Sequence, residues 1–275
     1  MSLTEPDKIE RYLSALRNLA ATEDHWKDLT IFLDLIEDET LKAKAVSSIS
    51  DFVESWPYDI RKAPENWWQR IQNERIAFPG WSLVGSLTIN KPHEELYAPE
   101  LFQSIRKLRL NSYTTEHEWS VVGKLNQLRE LDCSHTTSLR NSKPFSELTE
   151  LIWLDLSNCT NLVEITSLKK MQQLHFLNLT GCSSLQSLDG LQHLHVNILI
   201  IKDCDEVKDY SAIATLKDLR QFTIRAKELK DLEFLKSLPS LKVLEFYANS
   251  YLTDASSLSA LEKKNKLTIV NYGAS

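Results

Sequence analysis

Glycine is scarce, with six in 275 residues. Folds that cradle phosphates on backbone loops need several glycines closely spaced. No such cluster, P-loop or G-x-S-x-G elbow occurs in the chain. Positive charge is not in excess either: 32 Lys and Arg face 38 Asp and Glu, a formal net charge of −6. That balance removes any general electrostatic pull toward nucleic acid or an anionic membrane, so neither is expected as a partner. No apolar run approaches the roughly 18 residues that crossing a bilayer requires. The opening segment, Met1 to Ala20, is charged and amphipathic and has no apolar signal core. A cytoplasmic location is the expectation.

What the chain does have is periodicity. Short apolar strands open at Val84, Ile105, Leu128, Leu151, Leu174, Val196, Leu219, Leu241 and Lys264, at successive spacings of 21, 23, 23, 23, 22, 23, 22 and 23 residues. Apolar residues recur three and five positions after each opener. Leu131/Cys133, Leu154/Leu156, Leu177/Leu179 and Leu199/Ile201 are examples. Apolar residues two apart mark a short strand with one buried face. The rest of each unit is apolar at every third position, as in Leu162, Ile165, Leu168 and Met171, and then Leu185, Leu188, Leu191 and Leu194. A period of three predicts a 3₁₀ or short helical return path.

The segments LDLSNCTNL (154–162) and LNLTGCSSL (177–185) resemble leucine-rich repeats of the short 22–23-residue class, similar to those of internalins and of a protein-phosphatase regulatory subunit. The resemblance covers about residues 84–271. It implies an α/β fold: a right-handed solenoid with one strand per unit in a parallel sheet on a concave face. The family's asparagine or cysteine position, eight after the opener, holds Cys159, Cys182, Cys204 and Asn249. Pro92, Tyr113 and Lys227 occupy it in the first, second and seventh units and depart from the pattern.

Residues 1–76 lack the repeat and show helical spacing. Ile9, Leu13, Leu16 and Ala20 fall on one face, as do Trp26, Leu29, Leu33 and Ile36, and Leu41, Ala45, Ile49 and Phe52. Thr22 is the expected N-cap of the second helix, and 65–73 the expected fourth. The organisation predicted is a helical N-terminal capping domain, 1–76, followed by a repeat domain, 77–275, of about nine repeats. A solenoid needs its terminal apolar layer covered, and Trp67, Trp68 and Trp81 are placed to cover it. At the other end, the strand around Leu267–Val270 presents an edge at which pairing with another chain is conceivable, although Lys263, Lys264 and Lys266 discourage it. A monomer is the expectation.

The chemistry-bearing residues argue for structure rather than catalysis. Cys133 takes a strand-core position, and Cys159, Cys182 and Cys204 recur with the repeat rather than at the C-x₂-C spacing of zinc sites, so four reduced, buried thiols are expected. HEEL (93–96) lacks the second histidine of a metalloprotease helix, since Tyr97 stands in its place. His175, His193 and His195 have no converging acids or thiols in the pattern. No enzyme activity, metal or cofactor is expected.

Strand alternation decides which side chains face away from the core: those two, four and six after each opener. On that face Glu130, Asp132 and Asp155 stand at one side, Lys202, Arg225 and Tyr247 at the other. Trp153, Phe176 and Ile198 occupy the same position in adjacent units, with Asn178 and Ile200 beside them. An apolar strip with a polar rim on a water-facing sheet marks a binding site. Replacing Trp153 there is expected to leave folding almost unchanged. The reading that follows is a protein–protein interaction scaffold with its partner on the concave face. Two alternatives remain: an inhibitor or immunity protein for a toxin or enzyme, and a specificity subunit, adaptor or effector that recruits an enzyme through the helical domain.

Overall fold

A computed structural model describes residues 6–58, 60–64, 84–89, 103–110, 116–226, 232–247 and 267–272. The expected helix at 65–73, the tryptophans Trp67, Trp68 and Trp81, the loop positions Pro92, Tyr113, Lys227 and Asn249, and the lysines Lys263, Lys264 and Lys266 lie outside the described residues. Nine strands among the described residues form one parallel sheet in chain order: β1 (Ser86–Ile89), β2 (Lys107–Leu110), β3 (Glu130–Asp132), β4 (Trp153–Asp155), β5 (Phe176–Asn178), β6 (Ile198–Lys202), β7 (Gln221–Arg225), β8 (Val243–Tyr247) and β9 (Thr268–Tyr272). The chain divides into two compact units, Met1–Ile89 with Glu94–Leu108, and Asn90–His93 with Arg109–Ser275.

The first unit contains the expected helices α1 (Pro6–Leu16), α2 (Glu23–Asp34) and α3 (Glu39–Val53). Thr22 caps α2, its hydroxyl oxygen accepting the His25 amide at 3.2 Å, and Asp38 caps α3 by accepting the Leu41 amide at 2.8 Å. Ile9, Leu13 and Leu16 are buried as the periodicity requires, but α1 stops at Leu16, so Ala20 is exposed beyond its end. On α3 the buried stripe runs Lys42, Ala45, Val46, Ile49 and Val53. Leu41 and Phe52 sit at its half-buried rim, one position off the face expected from spacing alone.

Within this unit the segment after the helices reaches β1. Lys62 forms a parallel bridge with Ser86, and the amides of Gly85 and Ser86 both donate to the Arg61 carbonyl, at 2.9 and 3.1 Å. The Trp26 indole N–H donates to the Lys62 carbonyl at 2.8 Å, which pins that segment to α2. The approach is close enough to require Gly85: a Cβ there would stand 2.7 Å from Tyr58 Cβ and 2.8 Å from the Tyr58 Cα and carbonyl oxygen. The side of β1 away from β2 is therefore occupied by backbone of the helical segment, one way of closing a solenoid's first layer.

The second unit is the repeat itself. Each strand is in register with the next: Leu131 pairs with Leu154, Leu154 with Leu177, Leu177 with Leu199, Leu199 with Phe222 and Phe222 with Leu244. All six are fully buried. A buried leucine or phenylalanine contributes roughly 1.5–3 kcal/mol in transfer free energy, and stacking like on like makes each layer's gain depend on its neighbours. The return paths are 3₁₀ turns at Lys143–Phe145, Thr166–Lys170, Ser211–Thr215 and Glu233–Ser237, as the period of three predicts. The second unit of the repeat departs from this with a short α-helix, α4 (Glu116–Val122), whose Trp119 packs edge-on against Phe145 at 5.6 Å.

Two devices end the central strands. Asp132, Asp155 and Asn178 turn back on the backbone, each side-chain oxygen accepting the amide two residues on, at 3.0, 2.7 and 3.0 Å. The chain then enters a left-handed conformation at His135, Asn158, Gly181 and Asp203, with φ of 62°, 59°, 74° and 57°. Next comes the ladder position. The thiols of Cys159, Cys182 and Cys204 donate to the carbonyls of Cys133, Leu156 and Leu179 in the preceding turn, at 3.2, 3.1 and 3.0 Å. Each thiol thus satisfies a buried carbonyl of the layer before it. All four cysteines are free and buried.

Candidate functional site

The solvent face of the sheet in the second unit is organised in three rows set by register. The first row is Glu130, Trp153, Phe176, Ile198, Gln221 and Val243. The second is Asp132, Asp155, Asn178, Ile200, Thr223 and Glu245, and Lys202 and Arg225 pair in the third. The fold thus brings all eleven residues singled out from the sequence onto one face, Tyr247 closing it on β8. They are half-buried except Arg225, which is exposed.

The apolar strip is real and more tightly knit than spacing alone indicates. The Trp153 and Phe176 rings stack nearly parallel, 7° between planes and 5.0 Å between centroids. Each ring therefore covers part of its neighbour. Ile198 is in register beside Phe176, so the strip from Trp153 to Ile198 crosses two strand spacings, about 10 Å.

The charged residues around the strip are largely committed. Asp132 is 16% exposed and accepts from Arg109 Nε at 2.8 Å. Asp155 uses one oxygen for the Ser157 amide and the other for the Asn178 carboxamide at 3.2 Å. Arg225 is held by both oxygens of Asp203, Nε to Oδ1 at 2.7 Å, and this pair raises its already high pKa. Glu245 accepts from the Thr223 hydroxyl at 3.1 Å, and Thr223 is buried, although alternation assigns it to the solvent face. Its two neighbours in the row are Ile200 and Glu245. The Tyr247 ring lies 5.4 Å from the Arg225 guanidinium and 5.8 Å from the Lys202 ammonium.

Other places carry less chemistry. Burial lifts the Cys133 thiol well above the ordinary range and pushes Cys159 up to about 12. The neighbouring Cys204 thiol and burial raise the Cys182 thiol. Such thiols are poor nucleophiles and poor ligands. His175, His193 and His195 are exposed, and His195 Nδ1 meets Asp218 at 2.6 Å in an open surface pair. A cleft of about 400 Å³ lies between α4 and the next return path, lined by residues that include Trp119, Ser138, Arg140 and Lys143. Its indole N–H is taken up by the Ser138 hydroxyl at 3.1 Å. Among the described residues no three His, Cys, Asp or Glu side chains converge as a metal site, and no helix is long and apolar enough to cross a membrane.

A parallel sheet of 22–23-residue units, in-register apolar layers, 3₁₀ return paths and a thiol ladder define a leucine-rich-repeat solenoid, here with a helical N-terminal part. No family model and no curated protein matches the chain. Among solved structures it is similar to internalin C2 of Listeria monocytogenes, at 20% identity over 70% of this chain and 75% of that one, with a TM-score of 0.44. It is similar also to the leucine-rich-repeat domain of the type III effector XopL, at 16% identity over 92% and 98% of the two chains, TM-score 0.39. A leucine-rich-repeat protein of Leptospira interrogans aligns at 15% identity over 78% of this chain and 52% of its own, TM-score 0.38.

Proposed function

We propose that this protein is a non-catalytic interaction scaffold that works in the cytoplasm without a cofactor and holds another protein on the solvent face of its repeat sheet. The observation that carries the reading is the Trp153–Phe176–Ile198 strip, in register across three adjacent strands on the face opposite the core. Apolar surface placed there adds nothing to the buried layer beneath, and aromatic residues flanked by charge are the usual energetic centre of protein interfaces. The helical segment serves in this reading as the cap of the first repeat, through the contacts of Lys62 and Gly85.

The test is capture from the native cell with tagged wild-type chain and Trp153→Ala in parallel, quantified by mass spectrometry. The reading expects a specific partner with wild type and its loss with the variant at unchanged expression. One stoichiometric partner would mark an inhibitor, and a multi-subunit assembly an adaptor. Equal capture by both proteins refutes the strip as the binding surface.

A further inference from the structure

The polar groups bordering the strip differ in what they leave unsatisfied. Asp132, Asp155, Arg225 and Glu245 all have side-chain partners within the fold. Among the groups on this face that have none among the described residues are the indole N–H of Trp153 and the ammonium of Lys202, which has only the Tyr247 ring, 5.8 Å from its nitrogen. Both are donors. Arg225, next to Lys202 in register, has its fork filled by Asp203, so Lys202 acts as a point charge beside an apolar surface.

The apolar surface lies between these two donors. Trp153 is on β4 and Lys202 on β6, four positions further along the strand direction. At about 4.8 Å per strand and 3.3 Å per residue they stand roughly 16 Å apart across the face. Phe176, Ile198 and Ile200 fill the diagonal. Ring edges carry the positive end of the aromatic quadrupole, so the Trp153–Phe176 stack also favours acceptors at its rim. An occupant that presented a cation at the Lys202 end would be repelled. One that was purely apolar would leave an ammonium desolvated without a partner, which is costly.

Resting on the reading of this face as a partner site, we infer that it recognises an apolar–acidic peptide segment of the partner. An aromatic or branched aliphatic side chain seats against Phe176, Ile198 and Ile200, and an Asp or Glu two to four residues away in an extended peptide reaches Lys202. The spacing follows from the distance along β6 from Ile198 or Ile200 to Lys202, about 7–13 Å at strand rise.

Random twelve-residue peptides displayed on phage and selected against the full chain test this. The expected enrichment is an aromatic or aliphatic residue with Asp or Glu two to four positions away. Synthetic versions should lose about tenfold in affinity when that acid becomes its amide, the scale of one charge-assisted hydrogen bond. Lys202→Glu should turn the selected preference from acid to Lys or Arg. Trp153→Ala should abolish binding while the circular dichroism spectrum is retained. Peptides that need Trp153 but show no acid preference, or bind equally as amides, overturn the inference and leave the scaffold reading standing. Peptides indifferent to Trp153→Ala overturn both, and a selection with no enrichment overturns the inference.

Discussion

Trp153 and Leu154 are adjacent in sequence and face opposite sides of the sheet, so one pair of substitutions tests the register on which the whole surface depends. Leu154 is fully buried between Leu131 and Leu177. Leu154→Ala leaves a cavity in a continuous layer and should cost about 2–5 kcal/mol. For a chain of 275 residues, with an unfolding entropy near 2.1 cal/mol/K per residue, each kcal/mol moves Tm by about 2 °C, so the expected drop is roughly 4–10 °C. Trp153→Ala removes a half-buried ring that stacks on Phe176. The stack is worth about 0.5–1.5 kcal/mol, so the near-silent outcome expected for a free surface residue is replaced by a small loss, about 1–3 °C. Scanning calorimetry of the two variants, with partner capture in parallel, measures the contrast. The expected pattern is a large Tm loss with binding retained below the new Tm for Leu154→Ala, and a small Tm loss with binding abolished for Trp153→Ala. A Trp153→Ala protein that loses as much stability as Leu154→Ala refutes the orientation of β4 and with it every residue assigned to the solvent face.

Gly85→Ala places a methyl 2.7–2.8 Å from Tyr58 backbone and Cβ atoms, and overpacking of this kind costs about 1–3 kcal/mol; chemical denaturation should show a lowered midpoint, and wild-type stability would refute the close approach of Tyr58. Removing residues 1–76 strips the Lys62 bridge from β1 and uncovers buried Val84 and Leu87, so the fragment should aggregate or melt without cooperativity, whereas a soluble, cooperatively melting 77–275 fragment would assign the helices to recruitment instead. The thiols supply a pH signature. Cys159 has its folded pKa raised to about 12 against an ordinary value of about 8.5, so its contribution is complete below about pH 8.5 and is lost as pH climbs toward 12; Tm should fall across that window, with iodoacetamide labelling none of the four cysteines until unfolding. Rapid labelling at pH 8 of the native protein would refute their burial.

The repeat and its phase were fully legible in the sequence, because strand alternation and a three-residue return path leave separate apolar signatures that recur every 22–23 residues. The strand registers, the buried thiols, the 3₁₀ turns and the outward strip all follow from that one periodicity. Helix ends were read less well: α1 stops four residues short of Ala20, and the buried face of α3 is rotated toward Lys42 and Val46. Spacing names a face only to within one residue, and packing against α1 and α2 selects among the neighbours.

Tertiary structure alone decided three features. Thr223 is buried although alternation turns it outward, and its hydroxyl is taken up by Glu245 on the next strand. The Trp153–Phe176 pair is a stacked unit rather than two exposed anchors, a matter of rotamers that no spacing contains. Most of the charges that look like binding groups in the sequence are spent inside the fold, Asp132 on Arg109, Asp155 on Ser157 and Asn178, Arg225 on Asp203, while Lys202 has no ion-pair partner among the described residues. A linear pattern states which side chains share a face. Which of their hydrogen-bonding sites remain open depends on neighbours 22 or 23 residues away along the chain and one strand away in space.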